Sequence, residues 1–78
     1  MQYDYKAMGR VIRRLRKEQG VTQEVLSGFA VLTRSHLAMI ERGQKKATLD
    51  TLLRITAALD MRLSDLFRLV EEEIENQK

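Results

Sequence analysis

The residues able to do chemistry are few and scattered. His36 is the single histidine, cysteine is absent, and the carboxylates are spread along the chain. No cysteine nucleophile, disulfide framework or standard structural zinc site can be assembled from them, and no nucleophile stands with a base. Composition alone leaves carboxylate chemistry open, but an enzyme is not expected and no cofactor or metal is implied. Positive charge, in contrast, is concentrated: residues 1–46 carry 10 Lys/Arg against 4 Asp/Glu, whereas residues 47–78 carry 4 against 7. The resulting +6 and −3 halves fit either an unevenly charged solvated surface or a first half that faces a polyanion, with the acidic end turned away.

The elements that must position these charges are short. A chain of 78 residues makes one domain, expected to span 1–78, and has no room for an enclosed substrate cavity. Its apolar runs fall far short of the ~20 residues that cross a bilayer, and Asp4 and Lys6 interrupt any signal-peptide pattern. No membrane association is expected, and a reducing cytoplasm fits best.

Proline is absent, and apolar residues recur at spacings of three and four, so the chain is read as all-α with five helices. Met8, Ile12 and Leu15 mark a first helix over about 5–19, stopped by Gly20. Thr22 caps a second, with Val21 stapled to Leu26; Thr33 caps a third, with Leu32 against Leu37. Thr48 caps a fourth, with Ala47 facing Leu52, which ends before Asp60. A fifth is predicted over 63–75.

Between Leu26 and Leu37 one helix closes, the chain turns through Ala30, Val31 and Leu32, and the next helix starts at Thr33. A turn this tight makes the helices cross steeply, locked by Leu26, Ala30, Leu32, Leu37 and Ile40. At about 100° per residue, Leu37, Ile40 and Glu41 fall on one side of the third helix and Ser35, Met39 and Arg42 on the other. One side packs and the other is free.

Three segments, RxxRKEQGVTQEVL at 13–26, LTRSHLAMIERG at 32–43 and TLDTLLRITAALDMRLSDLF at 48–67, resemble the lambda-repressor-like (Cro/cI-type, or XRE) DNA-binding domains. The resemblance covers about residues 8–67 and is carried by GVTQ, the IERG ending and TLDTLLRI in that order. It implies a helix-turn-helix formed by helices 2 and 3, with residues 33–42 as the helix that enters the major groove of double-stranded DNA. Arg34, Ser35 and Met39 then become base-reading residues: Arg34 for guanine O6 and N7, Ser35 for several bases, Met39 for a thymine methyl. His36 lies at the flank, either reaching a base or phosphate or simply exposed. Gln23 matches the family's phosphate-binding glutamine, and Thr22, Thr33, Arg42, Lys45 and Lys46 are the further phosphate-binding expectations. Of Arg10, Arg13, Arg14 and Lys17, spread around the first helix, at least two are expected to be merely solvated. The family pairs a glutamate at the position of Glu41 with a first-helix arginine, here Arg16, which implies a largely buried ion pair.

Leu66, Phe67, Val70 and Ile74 give the fifth helix more apolar surface than so small a core needs. They are therefore expected to contribute a homodimer interface, which in this family sets two reading helices about 34 Å apart on an inverted repeat. Short members with such a helix include the controller proteins of restriction-modification systems. The alternative is an antitoxin-like module that holds a protein partner through the fifth helix and Phe29.

The sequence also departs from the family. Val31 replaces the customary turn glycine, which predicts a rearranged turn, because a β-branched residue resists positive φ. Ser27 replaces a small alanine, and Gly28 sits mid-helix at a cost of about 1 kcal/mol. Ala47 replaces a proline, and Arg62 replaces the N-cap serine of the fifth helix, leaving its start unmarked. Val25 and Phe29 form an apolar stripe where the family is polar; either the N-terminal segment with Tyr3 and Tyr5 folds over it, the favoured reading, or it is a partner surface.

Overall fold

Four of the five helices begin where a short polar side chain captures a backbone N–H three residues on. In a computed structural model, which describes residues 3–77, Asp4 accepts from Ala7 at 2.9 Å, Thr22 from Val25 at 3.1 Å, Thr33 from His36 at 3.0 Å and Thr48 from Thr51 at 3.2 Å. Each such cap stabilises its helix by about 1 kcal/mol. The helices are α1 (Tyr5–Glu18), α2 (Gln23–Phe29), α3 (Arg34–Glu41), α4 (Leu49–Ala58) and α5 (Leu63–Asn76). The cap at Asp4 had no counterpart in the sequence reading. α5 starts after Arg62, whose own N–H donates to the Asp65 carboxylate at 3.3 Å. Residues 1, 2 and 78 of the expected domain lie outside the described residues.

All four connections are built alike. After α1, Gly20 N donates to the Lys17 carbonyl and Val21 N to that of Arg16; after α2, Val31 N donates to Gly28 and Leu32 N to Ser27; after α3, Gly43 N donates to Ile40 and Gln44 N to Met39; after α4, Asp60 N donates to Ala57 and Met61 N to Thr56. This paired closure needs a left-handed residue just past each helix. Gly20 (φ 69°), Val31 (φ 56°), Gly43 (φ 71°) and Asp60 (φ 56°) fill that place. The turn at Val31 is therefore not rearranged, contrary to the sequence expectation. Valine accepts the glycine conformation, a strain of about 1–2 kcal/mol. What fixes it comes from outside the turn: Leu32 packs against the core on one side, and Arg54 of α4 donates from Nη1 to the Val31 carbonyl at 3.0 Å.

The core is one cluster to which every helix contributes: Met8, Val11 and Ile12 from α1, Leu26 from α2, Leu37 and Ile40 from α3, Leu52 and Ile55 from α4, Leu66 and Val70 from α5. α1 lies against α3 and α5, and α2 against α3 and α4. α1 and α3 approach so closely that a Cβ at Gly9 would land on the Ile40 carbonyl oxygen. Nothing in the hydrophobic pattern marks that glycine.

Two sequence expectations are corrected by this packing. Leu66 and Val70, expected at a dimer interface, are buried in the protomer's own core, because α5 lays that edge on α1 and α4. Phe67 stays exposed and Ile74 partly covered. The described part of the N-terminal segment, from Tyr3, does not fold over Val25 and Phe29. Asp4 caps α1 immediately before Tyr5, and α1 starts beside the α3–α4 loop, so Tyr3 donates its hydroxyl to the Ala47 carbonyl at 3.2 Å and Lys46 sits over the Tyr5 ring. Phe29 is left 71% exposed.

Candidate nucleic-acid interface

α3 is divided lengthwise. Leu37, Ile40 and Glu41 are buried, and Arg34, Ser35 and Arg42 are exposed; Met39 and His36 are half-buried between the two sides. The inward side is held by charge as well as by packing. Arg16 donates from Nε to Glu41 Oε2 at 2.7 Å and from Nη2 to Oε1 at 3.0 Å, while its Nη1 donates to the Val21 carbonyl at 2.8 Å. Both side chains are over nine-tenths buried, and the carboxylate holds the Arg16 proton more tightly than usual, through hydrogen bonding above all. The fork thus ties α3 both to α1 and to the chain entering α2.

Glu41 serves a third donor: Gln23, the first residue of α2, gives its Nε2 to Glu41 Oε1 at 3.1 Å. Only the amide nitrogen can face a carboxylate, so the orientation of the Gln23 side chain is set by this bond. Around it lies a shallow open concavity of about 510 Å³, lined by Arg13, Arg16, Thr22, Gln23, Glu24, Arg34, Glu41 and Arg42. A second, of about 480 Å³, shares Gln23, Arg34 and Arg42 with the first and adds Ser35, Ala38 and Met39. The fold therefore brings Thr22, Gln23, Arg34, Ser35, Met39 and Arg42 onto one continuous surface.

Other residues singled out by sequence fall outside it. His36 and Thr33 line neither concavity, Thr33 being occupied as the α3 cap. Lys45 and Lys46 follow α3 in an exposed loop, and Lys46 lies 5.3 Å from the Tyr5 ring centroid. Sequence reasoning left the first-helix arginines undivided, and the structure divides them. Arg10 and Arg14 turn to α5, where both meet Glu73, at 2.8 and 3.3 Å. Arg13 joins the concavity around Gln23. Its spacing of three from the buried Arg16 was the available signal, since such neighbours share a helix face. Among the described residues no cluster of three or more His, Asp or Glu could hold a metal, and no helix is long and apolar enough to cross a membrane.

The helix-turn-helix family model matches residues 12–66, from within α1 into α5. The chain belongs to the lambda-repressor-like helix-turn-helix family. Among curated relatives of this family, the control protein C.MunI of a Mycoplasma species is 35% identical over 66 residues, covering 83% of this chain and 89% of that one. Among solved structures, the restriction-modification controller protein C.AhdI of Aeromonas hydrophila is 36% identical, with a TM-score of 0.80 over 82% of this chain and 97% of that one. The controller protein C.Esp1396I, crystallised as a tetramer with its natural 35 base-pair operator, is 28% identical with a TM-score of 0.86, over 95% and 97% of the two chains. The family assignment gives the all-α architecture its name, and these relatives are named as control or controller proteins.

Proposed function

We propose that the chain is a transcriptional regulator that reads an inverted-repeat operator as a homodimer, with α3 in the major groove of double-stranded DNA. The observation that carries this reading is the lengthwise division of α3. Its inward edge is fixed by Leu37, Ile40 and the buried Arg16–Glu41 fork, and its outward edge presents Arg34, Ser35 and Met39 beside Gln23. A helix held this way offers base-edge donors and one apolar contact without being free to roll. In this reading Arg34, Ser35 and Met39 read bases, with His36 at the flank. Gln23, Thr22, Thr33, Arg42, Lys45 and Lys46 position the backbone. The names of the relatives, controllers of restriction-modification systems among them, support a regulator of that kind.

Dimerisation is assigned to the apolar residues that the protomer leaves exposed or only partly covered on two neighbouring helices, Phe67 with the half-buried Ile74 on α5 and Leu49 with Leu53 on α4. Selection of bound sites from a random duplex pool is expected to return a two-fold repeat, with affinity falling steeply as salt rises. Arg34→Ala should relax the preference at one base position per half-site, by about 1–3 kcal/mol. Recovery of no enriched site, or salt-insensitive binding, would refute the reading. Phe67→Glu is expected to shift the sedimentation coefficient to that of a monomer.

A second reading rests on Val25, Phe29 and Val31, three apolar side chains left 46–74% exposed around α2 and its turn. They suit a protein partner, as in an antitoxin subunit. Copurification of a stoichiometric second protein, lost on Phe29→Ser, would favour it; a protein that purifies alone would count against it.

A further inference from the structure

The arginines of this chain sort by whether a carboxylate has claimed them. Arg10, Arg14, Arg16, Arg54 and Arg68 each form an ion pair. Arg13, Arg34, Arg42 and Arg62 form none among the described residues. Three of those four, Arg13, Arg34 and Arg42, line the concavity around Gln23. Inside it, Arg16 and Glu41 neutralise one another, which leaves three guanidinium groups facing one exposed carboxylate, Glu24. Gln23 adds a donor held in place: with Nε2 committed to Glu41 through one hydrogen, the second N–H of the same nitrogen remains to donate.

We propose that Arg13 is a DNA-backbone contact, the cationic partner that α1 adds in this concavity to the phosphodiester group already assigned to Gln23. The ligand chemistry follows from the lining: fixed donors and unpaired planar cations around an open, polar hollow suit a tetrahedral oxyanion carried on a chain. That the chain is the operator backbone follows from continuity. The same hollow shares Gln23, Arg34 and Arg42 with the surface of Ser35 and Met39, so a duplex lying along α3 carries its phosphates past Arg13. Arg16 and Glu41 are positioning residues in this arrangement, acting through the Gln23 amide. The inference rests on the DNA-binding reading above.

The Arg13 side chain is exposed and forms no hydrogen bond or ion pair among the described residues, so Arg13→Gln should fold and melt as the parent does. Arg62→Gln is the matched control, removing an equally unpaired charge from the α4–α5 turn, outside the hollow. Binding to the selected operator and to unrelated duplex would be measured across a range of salt. Arg13→Gln is expected to weaken both several-fold and to lower the slope of log K against log salt by about one phosphate's worth, roughly 0.9. Arg13→Lys should keep that slope, and the selected base sequence should not change. If Arg13→Gln behaves as Arg62→Gln, while the parent binds with steep salt dependence, the backbone contact is wrong and the regulator reading survives. A changed base preference would assign Arg13 to base reading instead, which also overturns the proposal. A parent that binds no duplex at all would take both readings down together.

Discussion

α1 is held on two sides by arginine–glutamate contacts that share chemistry and differ in surroundings. On the α3 side, Arg16 and Glu41 are 9% and 1% exposed at their side chains, and Glu41 also receives Gln23. On the α5 side, Glu73 is shared between Arg10 and Arg14, both nearly half exposed. A buried pair sits where water cannot replace either partner, so the loss of one strands the other. Glu73 itself is 11% exposed at its side chain, but its two arginines stay in water and can exchange the carboxylate for water and dissolved ions at little cost. The first seam therefore sets the position of α3, while the second adjusts the docking of α5.

The largest expected effect lies at the buried seam. Glu41→Ala should destabilise the fold by about 3–5 kcal/mol in urea unfolding, because it leaves the Arg16 guanidinium buried and unpaired. Replacing both partners, Arg16→Met with Glu41→Leu, should recover most of that stability. DNA affinity should not recover with it, since the Gln23 amide then has no carboxylate to hold it. If the double variant is as unstable as the single one, the contrast between the two seams has been drawn on the wrong basis. Gly9→Ala comes next, at about 1–3 kcal/mol, because the new methyl group meets the backbone carbonyl of Ile40 and neither helix can yield without moving the other.

The α5 side should respond more weakly and in a different manner. Glu73→Gln is expected to lower the melting temperature modestly at low ionic strength and hardly at all near 1 M salt, where the Debye length is about 3 Å. An effect equal to that of Glu41→Ala would erase the distinction. Its pH dependence has a definite sign. Hydrogen bonding to Arg10, more than the charge of either arginine, lowers the Glu73 pKa from its ordinary value of 4.5. A carboxyl whose pKa is lowered by folding stabilises the native state above its unfolded pKa, and that contribution fades as pH falls through the folded value. Thermal melts from neutral pH to pH 3 should therefore lose stability less steeply in Glu73→Gln than in the parent protein.

Much of the fold could be read before any tertiary information. Thr22, Thr33 and Thr48 mark helix starts because capping is a contact between residues three apart, and such contacts survive in any context. The inward edge of α3 was equally plain, since the helical repeat alone sets Leu37, Ile40 and Glu41 together. The site was legible in part. Ser35, Met39 and Arg42 were placed on the outward side by the helical repeat and Arg34 came only from the family resemblance, while Arg13 was not separated from Arg10 and Arg14. Angular position around α1 says that these side chains diverge, not which neighbour each will meet.

By itself, then, the sequence determined the helices, their order and the two edges of α3, because each depends on residues within a turn or two of one another. Only the tertiary structure decided that Val31 takes a left-handed turn, since the conformation is held from outside by Leu32 in the core and Arg54 on α4. It likewise sent Leu66 and Val70 into the core, leaving Phe67 uncovered, and turned Tyr3 to the Ala47 carbonyl rather than to Phe29. Each of these outcomes depends on which of two distant segments packs better on a shared surface. That is a property of how the helices pack, and no local pattern records it.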